Sequence, residues 1–451
     1  MSATAADTFN PKRCSVFRIL ERRYERETSS ATFSYALDDL VFEEIVAFPP
    51  GSPELSGARA EAFDAVLSLL HLVAGVSYFK AAAPPRIESE ARPGPLVASL
   101  LEDVYRLGLG EFAYRNGFDA PISVDFPSED PARPPPTLSS GAGSLVPIGG
   151  GKDSAVALEI ARAAGPVTLF SVGDRAPIAR TAEVARQPRL IAERHISPQL
   201  LELNARGALN GYVPVTAIVS LLALATAVLH GHHRVVMANE RSASQASVHW
   251  RGIDVNHQWS KSYAFEQSLR AALAAEVVRG VDYFSVLRPA SELAIARAFA
   301  RMPVYHDAFT SCNSVFRLAG DGGGGWCCDC PKCRFVFLAL APFMPPAQLV
   351  GIFGVDLLEQ ADQIPGFMAL CGFQADKPFE CVGEREESVA AFRLLSESPE
   401  WREHAVVRHA RETMLSVLPS DVARPEQILE LSTQHNVPEP LLASALAHLR
   451  A

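Results

Sequence analysis

The chain has 451 residues, of which 48% are hydrophobic and 20% charged, and its formal net charge is −10. That length suggests roughly two to four domains, and the composition is that of a globular chain able to bury a large core. The acidic balance argues against a nucleic-acid partner, whose phosphates need basic surface.

The opening MSATAADTFNPKRC lacks an apolar stretch followed by a cleavage site, so no signal peptide is expected. No membrane span is expected either. The longest apolar run, VPVTAIVSLLALATAVL at 213–229, has 17 residues including Pro, Ser and two Thr, and reads as a buried helix. In chain order, 31–48 shows alternating Phe33, Tyr35 and Leu37 and predicts a strand pair, and 60–81 predicts one long apolar helix. The Pro-, Ser- and Gly-rich stretch 127–143 reads as a linker. From 144 the rhythm becomes strand–helix–strand: SLVPI (144–148), a helix over 154–164, VTLFSV (167–172), LIAERHI (190–196), the long apolar helix, then HRVVMAN (233–239). Such alternation predicts a parallel sheet covered by helices, with ligands bound beyond the carboxyl ends of its strands. After about 345 the pattern is mainly helical, with acidic stretches such as GEREES at 383–388.

Between SLVPI and the first of these helices stands Gly149-Gly150-Gly151-Lys152-Asp153-Ser154. Glycines allow a tight turn, and the helix start offers unpaired N–H groups and a positive dipole end to an anion. The spacing fits neither GxxxxGK[ST] nor GxGxxG. It resembles the SGGxDS loop of the PP-loop ATP pyrophosphatase superfamily, with Gly149 where that superfamily usually has Ser. The resemblance implies a site for ATP built from Gly149, Gly150, Gly151, Lys152, Asp153, Ser154 and, at the end of the next strand, Ser171. It also implies cleavage between the α and β phosphates, with Asp153 placing Mg²⁺.

Four of the eight cysteines, Cys327, Cys328, Cys330 and Cys333, fall within seven residues, a pattern of a metal site in a reducing compartment; the cytoplasm is expected. GYVP (211–214) and this cluster are similar to 7-cyano-7-deazaguanine synthases, which activate a carboxylate with ATP and carry structural zinc; the Arg-Asn pair those enzymes place after GYVP is Val215-Thr216 here. The likeness makes Cys327, Cys330, Cys333 and upstream Cys312 the expected Zn²⁺ ligands, with Cys328 the rival for one position.

Over nearly its whole length the chain resembles the UDP-N-acetylmuramoyl-L-alanyl-L-glutamate epimerase (MurL) family. The likeness runs through IGGGKDSAVALE, ANERSAS (238–244), NHQWSKS (256–262), WCCDCPKC and KPFECVGE (377–384). It implies ATP- and Mg²⁺-dependent inversion of the terminal L-glutamate of a UDP-muramoyl dipeptide, in peptidoglycan precursor synthesis. The implied fold is α/β, with a central parallel sheet of PP-loop ATP pyrophosphatase (HUP-like) type. Its expected parts are a mixed α+β N-terminal domain at 1–131, a candidate for substrate recognition, and a linker at 132–143. An ATP-binding domain with the cysteine cluster follows at 144–345, then a mainly helical region at 346–451. A carboxylate-activating ligase is the alternative.

Several residues are candidates for the chemistry. Lys261 either neutralises phosphate or is simply exposed, and Glu240 either binds Mg²⁺ or substrate or starts a helix. His257, with Asp254 nearby, either exchanges protons or serves as a structural hydrogen-bonder, as does the pair His306-Asp307. Cys381 has an analogy in cofactor-independent glutamate racemases, against the alternative of an inert thiol, and Arg241 is a candidate grip for a carboxylate.

Overall fold

A computed structural model describes residues 8–139, 141, 143–316, 325–374 and 377–450. Positions 140 and 142 of the expected linker lie outside them. The protein is mixed α/β, with a large, mostly parallel central sheet and many helices. The chain divides into two compact units, each assembled from separated stretches. One contains the residues up to Leu145, Leu190–Val235 and Val248–Tyr283; the other contains Val146–Arg189, Val236–Ser247 and Phe284–Ala451.

In the first unit the strands Val16–Glu25, Ser30–Leu37 and Leu40–Ala47 form an antiparallel meander, with Tyr35 opposite both Ile19 and Phe42. The expected strand pair at 31–48 is its second half. Arg189–His195 adds antiparallel to one side of the meander and Arg86–Ser89 parallel to the other. The helix Gly57–Ala74 continues through Gly75 into Val76–Phe79, so the long helix expected at 60–81 is interrupted. A side chain at Gly75 would meet the Tyr105 hydroxyl at 2.8 Å, which is why glycine stands at the break. This segment is long and apolar enough to cross a membrane by length and composition, but 83% of its 18-residue apolar window is buried within the fold. It packs against Val215–His230, the other apolar helix, and both are core elements. Tyr35 and Tyr105 keep their hydroxyls satisfied on the helix carbonyls of His71 and Leu72, at 2.8 and 2.9 Å. Glu44, fully buried on the meander, is held by a two-pronged ion pair with Arg194 at 2.7 and 2.9 Å, which compensates its loss of water.

The stretch expected to be a linker is tied down here: Thr137 bridges to Arg279, and Leu138 N–H donates to the Arg279 carbonyl at 2.9 Å. Ser144–Pro147 begins in this unit, parallel to Arg234–Met237, with Ser144 opposite Arg234.

The second unit carries Val167–Val172 and a helical core. The helices Lys152–Ala163, Glu292–Ala300, Pro331–Leu340 and Glu439–Arg450 pool Leu158, Ile295, Phe337 and Leu449 in one apolar cluster. Trp401, 1% exposed, anchors the later helices and donates its indole N–H to the Met344 carbonyl at 3.2 Å.

Candidate functional site

The strand Ser144–Pro147 delivers the chain to Gly149, and the helix Lys152–Ala163 begins immediately after Gly151. Gly150 has φ +82°, and a Cβ there would lie 2.9 Å from the Pro177 carbonyl carbon, so only glycine fits. Its carbonyl accepts from Thr310 N–H at 3.0 Å, which pins the turn. Gly149 has open space around its Cα. Ser154 Oγ donates to the Gly151 carbonyl at 2.9 Å and accepts from Gly149 N–H at 3.4 Å, closing the loop on itself. Ser171, at the end of Val167–Val172, donates to the Gly173 carbonyl at 3.0 Å. The result is a tight turn at a helix start, closed by its own hydrogen bonds.

Below the loop lies a buried array of charges. Lys152 is 1% exposed, and its Nζ donates to both Asp153 and Glu292. Burial pulls the Lys152 ammonium down, but the two carboxylates outweigh it and its pKa ends above the ordinary value. Glu292 opens the helix Glu292–Ala300 behind the N-cap Ser291, whose side chain accepts from Ala294 N–H at 3.1 Å. Burial, reinforced by Asp153, raises the Glu292 carboxyl against the pull of Lys152, and Glu240 and Lys332 act on it as well. Lys332 Nζ lies 4.0 Å from Glu292 and donates to the Cys381 carbonyl. Glu240 is buried, and its carbonyl accepts from Arg288 at 2.6 Å.

Behind Glu292 sits Glu387, which accepts from Glu292 N–H at 2.8 Å, Ser242 Oγ at 2.5 Å and Glu384 N–H at 2.7 Å. Burial pushes its carboxyl up to about 8, helped by the charges of Glu384 and Glu292. A carboxyl raised above its ordinary 4.5 contributes stability that is complete below that value and is lost as pH rises through about 8. Melting temperature should therefore fall between about pH 5 and 9, and Glu387→Gln should flatten that fall. Parallel melting curves for the two proteins check this; an equal slope would mean that Glu387 does not titrate there.

Elsewhere in this unit, Cys312, Cys327, Cys330 and Cys333 come together, with their sulfurs all within 4.8 Å of one another. Cys330 caps the helix Pro331–Leu340, and Cys327 Sγ and Cys330 Sγ lie 3.7 and 3.5 Å from Cys333 Sγ. The hydrogen bond between Cys330 and Cys333 draws the Cys330 thiol down and pushes the Cys333 thiol up. Four sulfurs at such spacing suit a tetrahedral ion. Cys328 is turned away by a left-handed backbone (φ +57°), its sulfur against the carbonyls of Trp326 and Phe353 at 3.6 and 3.4 Å. Arg241 spends its guanidinium on the carbonyls of Glu430 and Ile428, at 2.9 and 3.1 Å. His306 bonds the Phe299 carbonyl at 3.1 Å and Gln348 at 3.2 Å, the environment of a structural histidine.

In the first unit, His257 Nδ1 is 2.5 Å from the buried carboxylate of Glu111, whose other oxygen takes Arg115 at 2.6 Å. The ring of Tyr212 packs over His257 with centroids 4.3 Å apart. A carboxylate on Nδ1 fixes a histidine's tautomer and orientation. Asp254 instead pairs with His249 at 3.0 Å, on the surface. Lys261, in the short turn Trp259–Lys261, reaches Gln258 Oε1 at 3.3 Å.

Family models of the MurL N-terminal domain and the MurL C-terminal domain match residues 8–286 and 308–424. The chain belongs to the MurL family. A protein of Micromonospora sp. is 45% identical over 449 residues, covering 97% of this chain and 98% of its own. One from Salinispora tropica is 46% identical over 404 residues (88% of each), and one from Xanthomonas oryzae pv. oryzae is 44% identical over 441 residues (96% of this chain, 97% of its own). Each of the three is named UDP-N-acetyl-alpha-D-muramoyl-L-alanyl-L-glutamate epimerase. No solved structure matches the chain.

In this MurL-family chain the structure groups Lys152, Asp153 and Glu240 around a residue the sequence reading passed over, Glu292. Lys332 was equally overlooked, although its place inside CPKC put it beside two expected ligands. Glu387 was read only as part of an acidic stretch; its signal was the spacing Glu384-x-x-Glu387, a capping box. Glu111 carried no local signal at all.

Proposed function

We propose that the chain inverts the terminal L-glutamate of UDP-N-acetylmuramoyl-L-alanyl-L-glutamate to D-glutamate, in the cytoplasm, at the expense of ATP. The observation that carries this is identity of 44–46% to relatives named for that epimerase, along 88–97% of the chain. The glycine loop supports the use of ATP: a glycine turn at a helix start, followed by the Asp153-Ser154 pair, matches the SGGxDS pattern of PP-loop pyrophosphatases.

Removing the Cα hydrogen beside a free carboxylate piles a second negative charge onto the first. Transfer of AMP to the α-carboxylate relieves this: a carboxylate oxygen attacks the α phosphorus and pyrophosphate leaves. The acyl-adenylate carbonyl then accepts the electron pair as a base takes the Cα proton, and a proton returns on the opposite face. Water finally splits the mixed anhydride, yielding AMP and the D-glutamyl product. In this reading the loop N–H groups of 149–154 and Ser171 hold the nucleotide. Asp153, whose side chain is 25% exposed, is the carboxylate available to Mg²⁺, which offsets phosphate charge when bound. Glu240, His257, Lys261 and Cys381 remain the candidates for handling charge and protons, and the N-terminal region the candidate for recognising the UDP-muramoyl moiety. The four-cysteine group would hold a structural zinc.

The deciding experiment is run in deuterated water. Deuterium should enter the glutamate Cα only with hydrolysable ATP and Mg²⁺ present, alongside AMP release and inversion. An analogue blocked between the α and β phosphates should prevent it. Exchange at the same rate without nucleotide would overturn the adenylate mechanism, and AMP release without inversion would favour a carboxylate-activating ligase.

A further inference from the structure

We propose that Glu292 is a positioning residue for the nucleotide, acting through the loop lysine: it is the permanent counter-ion of Lys152, while Asp153 is the exchangeable one. The proposal rests on the reading of the loop as an ATP site. Its warrant is the asymmetry between two carboxylates that share one ammonium. The Asp153 side chain is 25% exposed, within reach of a ligand or its cation; that of Glu292 is 2% exposed and cannot leave. When Asp153 turns to a phosphate-bound cation, Lys152, 1% exposed, loses one of its two carboxylate partners. A buried ammonium without a partner is held charged only at high cost. Glu292 removes that cost and fixes the Nζ position.

The surroundings of Glu292 fit this role. Its N–H is anchored by Glu387 at 2.8 Å and Ser242 Oγ at 3.3 Å, so the carboxylate is fixed from its own main chain. Lys332, 4.0 Å from its other oxygen, balances its charge and comes from a different helix. Lys332, Glu292, Lys152 and Asp153 thus alternate in sign along the array, with the carboxylate of Glu240 close enough to act on Glu292 as well. An ordinary glutamate at a helix start points to solvent and interacts with the dipole. This one points inward.

A double-mutant cycle tests the proposal, with binding of α,β-methylene-ATP in Mg²⁺ by calorimetry as the first readout and the kcat and KM of pyrophosphate release as the second. Lys152→Met should weaken binding roughly 10-fold or more and Glu292→Gln roughly 5-fold, while the double variant should match Lys152→Met within about twofold. Glu292→Asp, which keeps the charge, should lie between parent and Glu292→Gln, and replaces the latter in the cycle if the glutamine variant does not fold. A merely structural glutamate would give losses that multiply. Multiplying losses, or Glu292→Gln binding like the parent, overturn the proposal and leave the ATP reading standing. Failure of the parent itself to bind the analogue overturns both.

Discussion

Asp153→Ala is expected to abolish pyrophosphate release, by roughly 100-fold or more, while the protein stays folded. The side chain stands in the first turn of Lys152–Ala163, partly exposed, and packs into no core. Its loss removes a favourable dipole interaction of about 0.3–1 kcal/mol. Lys152 keeps Glu292 as a partner, so no buried charge is stranded. Melting temperature should therefore move by only a few degrees. Steady-state pyrophosphate release with the UDP-muramoyl dipeptide, beside a thermal melt, checks both halves. Release within a few-fold of the parent would remove the loop from the chemistry; a collapsed melt would mean that Asp153 serves the fold.

The second large effect concerns the cysteine group. Protein purified without chelator should carry about one zinc per chain, and Cys333→Ser should lose it together with much of its thermal stability. Cys312 and Cys333 are fully buried, and the sulfur group stands at the start of Pro331–Leu340. An ion there would cross-link the segment around Cys312 to the helix that presents Lys332. Structural zinc contributes on the order of 10 kcal/mol in small domains, so its loss should be plain in a melt. Cys328→Ser is the control, because that sulfur faces the Trp326 and Phe353 carbonyls, and it should keep the metal. Elemental analysis of the three proteins settles the matter. A parent without zinc but with full activity would rule the site out.

What could be read in the sequence was what is local. The glycine loop, the strand at 167–172 and the apolar helix at 213–229 are each coded within a dozen or so neighbours, and the structure has a loop, Val167–Val172 and Val215–His230 there. Val16–Glu25 was not recognised as a strand. Its charged run ERRYE breaks the alternation, and a register shift between Ile19 and Arg22 breaks the period of two itself. Asp282–Ser285 was not recognised as a strand either. The buried array was illegible for a different reason. Lys152 and Glu292 stand 140 positions apart, and Ser242 and Glu387 stand 145 apart. No motif spans such a gap; only the folded chain joins them. Arg241 shows the converse: a side chain suited to gripping a carboxylate is committed to main-chain carbonyls.

The second unit is made of three separated stretches, Val146–Arg189, Val236–Ser247 and Phe284–Ala451, and this sets an order on how a ribosome can deliver it. Lys152 leaves the ribosome 140 residues ahead of Glu292. At about 5–20 residues per second, the loop lysine waits on the order of ten seconds for the carboxylate that makes its burial tolerable. Through that interval the lysine has to stay in water, so the glycine loop cannot reach its final form as it emerges. A single cut before Val146 would keep the glycine loop with its charge partners, but the piece would also carry two stretches of the first unit, Leu190–Val235 and Val248–Tyr283. The charge pair becomes complete only once Glu292 has been made, and a chain stalled before it carries a loop that looks finished in sequence but lacks the residue that holds its lysine.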